Sequence, residues 1–365
     1  MYRFFRQLQT ADWFLISGAF TLVILGLAAI YSIELSYGDS DFLNIQKQVV
    51  SALVGLGVFF AVAGSNYHLL RNYALISYVI GVASLAGVLA FGVTIRGTTG
   101  WYAIGPVSFQ PVELMKVALA VSLAAYFSRR ARLDFGWREL LESGIITALP
   151  VGLVLMQPDL GSAALLLGMW GILVLFAGMK KRHLATLVVA MAIVSVVAWS
   201  FLLAPYQKDR LRTFVNPAAD PLGQGYNVAQ AMIAVGAGGW LGSGLGFGSQ
   251  SQLKFLPESQ TDFIFAVIAE ELGFVGVILL LGAFALVFFR IWHFASSTRD
   301  DFTSFLLIGI GGTLFVQFFI NVGMNLGLLP VTGVALPLVS YGGSSLLFTL
   351  VMLGIVESVT VRSRG

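Results

Sequence analysis

The chain has 365 residues, 58% of them apolar and only 11% charged, and its mean hydropathy is strongly positive. That composition excludes a soluble globular enzyme and places the chain among polytopic integral membrane proteins. The absence of cysteine excludes disulfides, thiolate nucleophiles and zinc–cysteine sites, while a net charge of +3 decides little, because in a membrane the position of each charge outweighs the sum.

Apolar runs near the ~20 residues that a spanning helix requires begin near Trp13, Val49, Tyr73, Val112, Ile145, Gly161, Leu184, Phe263, Phe302 and Ser345. They predict an all-α fold of about ten transmembrane helices in a single membrane domain, 1–365. The first run outlasts a signal-peptide core and ends in Ile33-Glu34-Leu35 without a cleavage site, so it reads as a retained helix. Cytoplasmic loops keep lysine and arginine. Arg3, Arg6, Arg71, Arg129, Arg130, Arg132, Arg138, Lys180, Lys181, Arg182, Arg290, Arg299, Arg362 and Arg364, 14 of the 21 basic residues, fall on one side and put both termini inside. Basic clusters at both ends of the stretch from Gly144 to Met179 require an even number of crossings. The outer turn is Gln157-Pro158-Asp159-Leu160-Gly161, where proline disfavours helix before it and glycine frees the backbone after it.

With this topology the remaining charges gather on the outer side. Glu113 and Lys116, three apart and so on one face, open the fourth span, and Asp159 sits in the outer turn between the fifth and sixth. Counting ~20 residues back from the inner marker Arg290 puts Glu270 at the outer hydrocarbon edge and Asp262 about 12 Å beyond it, at ~1.5 Å per residue. Asp262 is the leading candidate for chemistry, because a carboxylate at the mouth of a span costs several kcal/mol to desolvate and tends to mark a working site. The long extracytoplasmic loop 205–260 carries Lys208, Arg210, Arg212 and Lys254, cations suited either to phosphate oxygens or to a solvated surface, with Arg210 foremost. Its glycines between 236 and 248 allow tight turns and close backbone approach, but no soluble strand–helix unit flanks them as a dinucleotide site demands.

There is no P-loop, and His68, His183 and His293 all fall near the inner boundary. An outer proton acceptor is therefore expected to be a carboxylate, and a bound metal, if any, a hard ion such as magnesium or manganese. Carboxylates, cations and apolar walls on one outer face suit an amphiphile with an anionic head and a lipid tail. Nucleoside triphosphates are scarce outside a cell, so synthesis there needs a donor carrying its own leaving group, such as a lipid pyrophosphate.

The chain resembles the SEDS proteins (shape, elongation, division and sporulation), with the nearest likeness to their rod-shape-determining RodA branch. The resemblance runs through Phe109-Gln110-Pro111 with Glu113 and Lys116, Gln157-Pro158-Asp159-Leu160-Gly161 and Asp220-Pro221-Leu222-Gly223-Gln224-Gly225-Tyr226. It continues through Phe255-Leu256-Pro257-Glu258, Thr261-Asp262-Phe263-Ile264-Phe265, Glu270-Glu271-Leu272-Gly273, Gly327-Leu328-Leu329-Pro330 and Leu336-Pro337-Leu338-Val339-Ser340-Tyr341-Gly342-Gly343-Ser344. It implies a ten-helix glycosyltransferase of the bacterial cytoplasmic membrane that joins lipid II units into glycan strands during cell elongation. The implied step is attack by the 4-hydroxyl of incoming lipid II on the undecaprenyl-pyrophosphate-linked strand, with Asp262 essential and acting as general base, and Glu113, Lys116 and Asp159 supporting it from the cavity. A class B penicillin-binding protein is the implied partner, and no nucleic acid is expected. Gly100 before Trp101, Val112 before Glu113 and Gln260 before Thr261 depart from the family's usual arginine, serine and histidine.

Simpler readings stand beside these. Glu113 and Lys116 can be a self-neutralising structural pair, and Asp159 and Asp262 can be ordinary helix caps. Glu270 and Glu271 point ~100° apart, so at most one faces a cavity. A lipid II flippase is the rival function, although a secondary transporter is expected to hold its ionisable site near the midplane between repeated halves.

Overall fold

The computed structural model describes residues 11–36, 42–95, 97–105, 107–131, 135–202, 205–215 and 223–363. Arg3, Arg6, Arg132 and Arg364, and residues 220–222 of the Asp220–Tyr226 block, lie outside them. Among the described residues eight helices are long and apolar enough to cross a membrane. In chain order they include α1 (Trp13–Leu35), α2 (Leu43–Gly64) and, after the short α3 (His68–Asn72), α4 (Ala74–Phe91). Next come α5 (Pro111–Ser128) and α6 (Trp137–Met156). The two remaining expected spans are the shorter apolar α7 (Leu160–Phe176) and α8 (Lys181–Val197), which a π-helical turn, Ala198–Leu202, prolongs.

The stretch expected as one long loop is largely helical, with α9 (Pro205–Val215), α10 (Gln224–Ala237) and the single turn α11 (Ser249–Gln252). Ala231 and Ala234 of α10 are fully buried in a second core cluster with Phe263, Ala266 and Val267, so this segment folds down onto the bundle instead of hanging in solvent. The last three spans are α12 (Ile264–Ser297), α13 (Asp301–Asn325) and α14 (Gly343–Ser363). Spans two and five start earlier than their apolar runs, because Leu43–Gln48 and Trp137–Glu142 continue as helix beyond the purely hydrophobic stretch.

A small antiparallel meander, β1 (Val93–Ile95), β2 (Thr98–Ile104) and β3 (Val107–Phe109), is the exception to the all-helical expectation. Its β-branched and aromatic residues favour a pleated surface, and Gly97 (φ +82°) turns the first hairpin. The meander is tied to the bundle where Tyr102 donates to the Ser84 carbonyl (3.0 Å) and Ser344 to that of Ser108 (2.8 Å).

Helices α5 and α14 are the most enclosed of the spans. Lining α14 against α2 requires Gly354, where a Cβ would press on the Phe59 carbonyl. At the end of the bundle away from Asp262, Arg290 Nε donates to buried Asp12 (2.6 Å), whose own backbone N–H donates to Glu357 (2.8 Å), joining α1, α12 and α14 in one knot. The opposite end is joined differently, by an irregular segment, 326–342, that dips back between the helices and borders the candidate site.

Candidate active site at the outer end of the bundle

Asp262 lies in a turn folded over the Glu258 carbonyl, which accepts from the backbone N–H groups of Thr261 (3.1 Å), Asp262 (3.1 Å) and Phe263 (3.3 Å). The following helix takes Phe263, not Asp262, as its N-cap residue. Its side chain is half-buried. What fixes it is a grip on three consecutive carbonyls. Tyr341 N–H donates to Gln260 O (2.8 Å), Ser340 Oγ to Thr261 O (2.6 Å), and Asn321 and Asn325 Nδ2 both donate to Asp262 O (3.0 and 2.9 Å).

The groups that grip are themselves fixed. Asn321 also donates to the Val334 carbonyl (2.8 Å), and Asn325 Oδ1 accepts from Ala266 N–H (3.1 Å). Gln48 on α2 donates to Ser340 O (3.2 Å) and accepts from Gly342 N–H (3.1 Å). All four side chains are nearly inaccessible, and such a fully satisfied buried network holds geometry tightly. These residues escaped the sequence reading. The available signal was the run Gln317, Asn321, Asn325, three amides four residues apart on one face of an apolar span, all buried.

Beside the Asp262 carboxylate stands Gly333 (φ +76°), where an added Cβ would lie 3.7 Å from Oδ2. The neighbouring Thr332 carbonyl presses on Gly161, where no Cβ fits, so the outer turn of α7 and the Asp262 turn flank the same strip of segment 326–342. Asp159 caps α7: Oδ1 accepts from Ser162 N–H (2.9 Å) and Oδ2 from Ser162 Oγ (2.7 Å). Glu113 and Lys116 are 5% and 1% exposed and pair at 2.6 Å between Nζ and Oε2. That contact lacks hydrogen-bond angles, and neither atom has another hydrogen-bond partner in the protein. Both atoms are sealed inside the bundle, so the two charges offset each other as a buried pair. The pair opens α5, which packs along α13, the helix that carries Asn321 and Asn325.

Glu270 is an anchor and not a lining group. Its Oε1 accepts from Gln250 N–H (2.7 Å) and Ser249 Oγ (3.3 Å), and its Oε2 from Ser251 N–H (3.2 Å), which holds the first turn of α11. Glu271 accepts from Ser32 (2.5 Å) and Ser251 (3.0 Å). The depth count missed this because α12 breaks at Gly273 (φ 62°, ψ −161°), and the glycine-rich strip packs into that break. A Cβ at Gly238 or Gly242 would collide with the carbonyls of Ala269 or Glu271, the close backbone approach expected of those glycines.

Lys254 and Glu258 are exposed and hold left-handed backbone (φ +60° and +53°), a strained conformation for residues with a Cβ. With Asn44, Gln260 and Tyr341 they line a cavity of about 410 Å³. Arg210 lies in α9, with its side chain outside the described residues. Among the described residues no three histidine, aspartate or glutamate side chains converge as a metal-binding group.

A family profile described as "Cell cycle protein", FtsW/RodA/SpoVE, matches residues 12–365. The chain belongs to this family. Among its FtsW/RodA/SpoVE relatives, the peptidoglycan glycosyltransferase MrdB of Escherichia coli K12 is 38% identical over 93% of this chain and 92% of its own. Stage V sporulation protein E of Bacillus subtilis 168 is 34% identical over 97% of this chain and 98% of its own. A chain solved in work on a peptidoglycan synthase complex that coordinates polymerization and crosslinking superposes with a TM-score of 0.82 at 34% identity, covering 97% of this chain and 98% of that one. Rod shape determining protein RodA of Thermus thermophilus superposes with a TM-score of 0.72 at 31% identity, covering 97% of each chain. This family member is accordingly a multi-pass membrane protein.

Proposed function

We propose that this protein is a peptidoglycan glycosyltransferase that polymerises lipid II at the outer face of the bacterial cytoplasmic membrane, with both termini cytoplasmic. The identity to MrdB supports the activity, and the observation that carries the site is Asp262, a half-buried carboxylate held through three gripped carbonyls at the outer end of the bundle. In the proposed step Asp262 accepts the proton of the acceptor 4-hydroxyl as its oxygen bonds to the anomeric carbon of the growing strand. The bond from that carbon to the undecaprenyl pyrophosphate breaks, and the pyrophosphate leaves with the electron pair.

Lys116, paired with Glu113 at 2.6 Å, is the proposed cation for the leaving pyrophosphate. Asp159 supports the site by starting α7 beside the Gly333 strip, while Arg210 supplies a further cation from the outer segment and Lys254 lines the cavity behind the Asp262 turn. Magnesium commonly binds through one or two carboxylates together with substrate phosphates. A magnesium or manganese ion in this proposal therefore arrives with the substrate, and no step depends on it. A class B penicillin-binding protein is the proposed partner, consistent with the synthase complex whose chain this one resembles.

The test is reconstitution of the purified protein, alone and with its cognate transpeptidase, on labelled lipid II. Glycan ladders should form with the intact protein and vanish in Asp262→Ala, while an exposed change such as Phe201→Ser leaves them. Ladders that persist in Asp262→Ala, or transbilayer movement of lipid II without ladders, would refute the proposal.

A further inference from the structure

The cavity of about 410 Å³ next to Asp262 has no role in the chemistry above, and it falls within the ~300–1,000 Å³ typical of ligand pockets. Its wall continues the gripped turn, since Ser259, Gln260 and Thr261 immediately precede Asp262. Gln260 is the unusual member. It is 8% exposed, its Oε1 accepts from Asn44 Nδ2 (3.0 Å), and its Nε2 has no hydrogen-bond partner in the protein. A buried amide donor without an acceptor costs about 1–3 kcal/mol, so a site that keeps one is suited to a ligand that supplies an oxygen.

Charge narrows the ligand. The cavity's ionised lining is one lysine and one glutamate, Lys254 and Glu258, which offset each other and give no net field for a pyrophosphate. Tyr341 and Pro257 add flat apolar surface against which the C–H face of a pyranose can lie. A neutral, oxygen-rich ring with a carbonyl substituent meets all three conditions. We infer that this cavity is the subsite for a 2-acetamido sugar on the acceptor side of the reaction, with Gln260 Nε2–H donating to the acetamido carbonyl. The inference rests on the glycan polymerase reading and deepens it: it makes Gln260 a substrate-recognition residue that orients the acceptor ring for the carboxylate two residues along the chain.

The experiment uses full-length protein carrying Asp262→Asn, so that binding is read without turnover, and two probes in detergent micelles: a short-prenyl lipid II and its analogue lacking the acceptor-side acetamido group. Adding Gln260→Met, which removes the donor at similar volume and adds no charge, should weaken lipid II binding roughly ten- to hundredfold. It should leave the analogue's affinity unchanged, so that the two changes are coupled. Equal affinity of both proteins for lipid II, or equal weakening toward both probes, would overturn the inference. Should Gln260→Met not fold, the Gln260-bearing protein alone decides: less than about threefold preference for the acetamido ligand overturns it. Ladders from the unmodified protein report separately on the polymerase reading. Ladders without coupling sink only the subsite, and coupling without ladders sinks only the polymerase.

Discussion

Asn325→Ala tests whether the grip on the Asp262 carbonyl sets the reactivity of its side chain. The substitution deletes the bonds from Nδ2 to Asp262 O (2.9 Å) and Asn321 O (2.8 Å) and the one that Oδ1 accepts from Ala266 N–H (3.1 Å). Asp262 O keeps Asn321 as a donor, and Ala266 N–H keeps the Phe263 carbonyl (3.0 Å), so those two groups are not orphaned. At ~1 kcal/mol net for each lost bond the destabilisation is about 2–3 kcal/mol, which a folded membrane protein can absorb. The catalytic loss is expected to be larger than that stability loss suggests, because a displacement of ~1 Å at a reacting group can cost ~100-fold in rate. Polymerisation of labelled lipid II should therefore fall about 10- to 100-fold in kcat, with KM within about twofold, and the melting temperature in detergent should drop modestly. Asn325→Asp keeps an acceptor for Ala266 but sets an oxygen against the Asp262 carbonyl, and it should be at least as inactive. A folded Asn325→Ala protein that polymerises at the wild-type rate would refute the claim that these carbonyls position Asp262.

Lys116→Met strands Glu113 as an unpaired buried charge and should cost about 3–5 kcal/mol in stability, seen as a large fall in melting temperature. Adding Glu113→Gln should restore folding without restoring glycan ladders; restored ladders would remove Lys116 from the chemistry. Gly242→Ala places a Cβ against the Glu271 carbonyl at φ +76° and should abolish folded yield by size-exclusion chromatography, whereas Gly239→Asn, at φ +51° with open space around it, should preserve it. Asp12→Asn weakens the inner knot with Arg290 and should lower the melting temperature, yet leave the polymerisation rate per folded molecule unchanged, since the knot lies at the opposite end of the bundle from Asp262.

The parts of this molecule that were legible in its sequence are those that depend on depth or on near neighbours along the chain. Apolar runs located the spans to within several residues, three-residue spacing paired Glu113 with Lys116, and the Gln157–Gly161 turn gave Asp159 its cap. Composition pointed to close backbone approach at the glycines, although not to the break at Gly273 that receives them. Depth along a helix says nothing of which neighbour a side chain faces, so Glu270 and Glu271, placed at the membrane edge by counting, proved to be anchors for Ser249–Gln252 and Ser32. Neutral amides barely change hydropathy, which hid Asn321 and Asn325, whose partner Asp262 lies 59 and 63 positions away. The meander at 93–109 was hidden because its strands are only three to seven residues long and sit between two spans. Yet those long-range amide contacts decide where the carboxylate stands. Their cost explains their placement: an amide in an apolar span is tolerated when its donors and acceptor are all spent, and Asn321 and Asn325 spend theirs on the backbone at residues 262, 266, 321 and 334. A reading that searches spans for uncharged polar residues repeating every four positions would have recovered this clamp from the sequence.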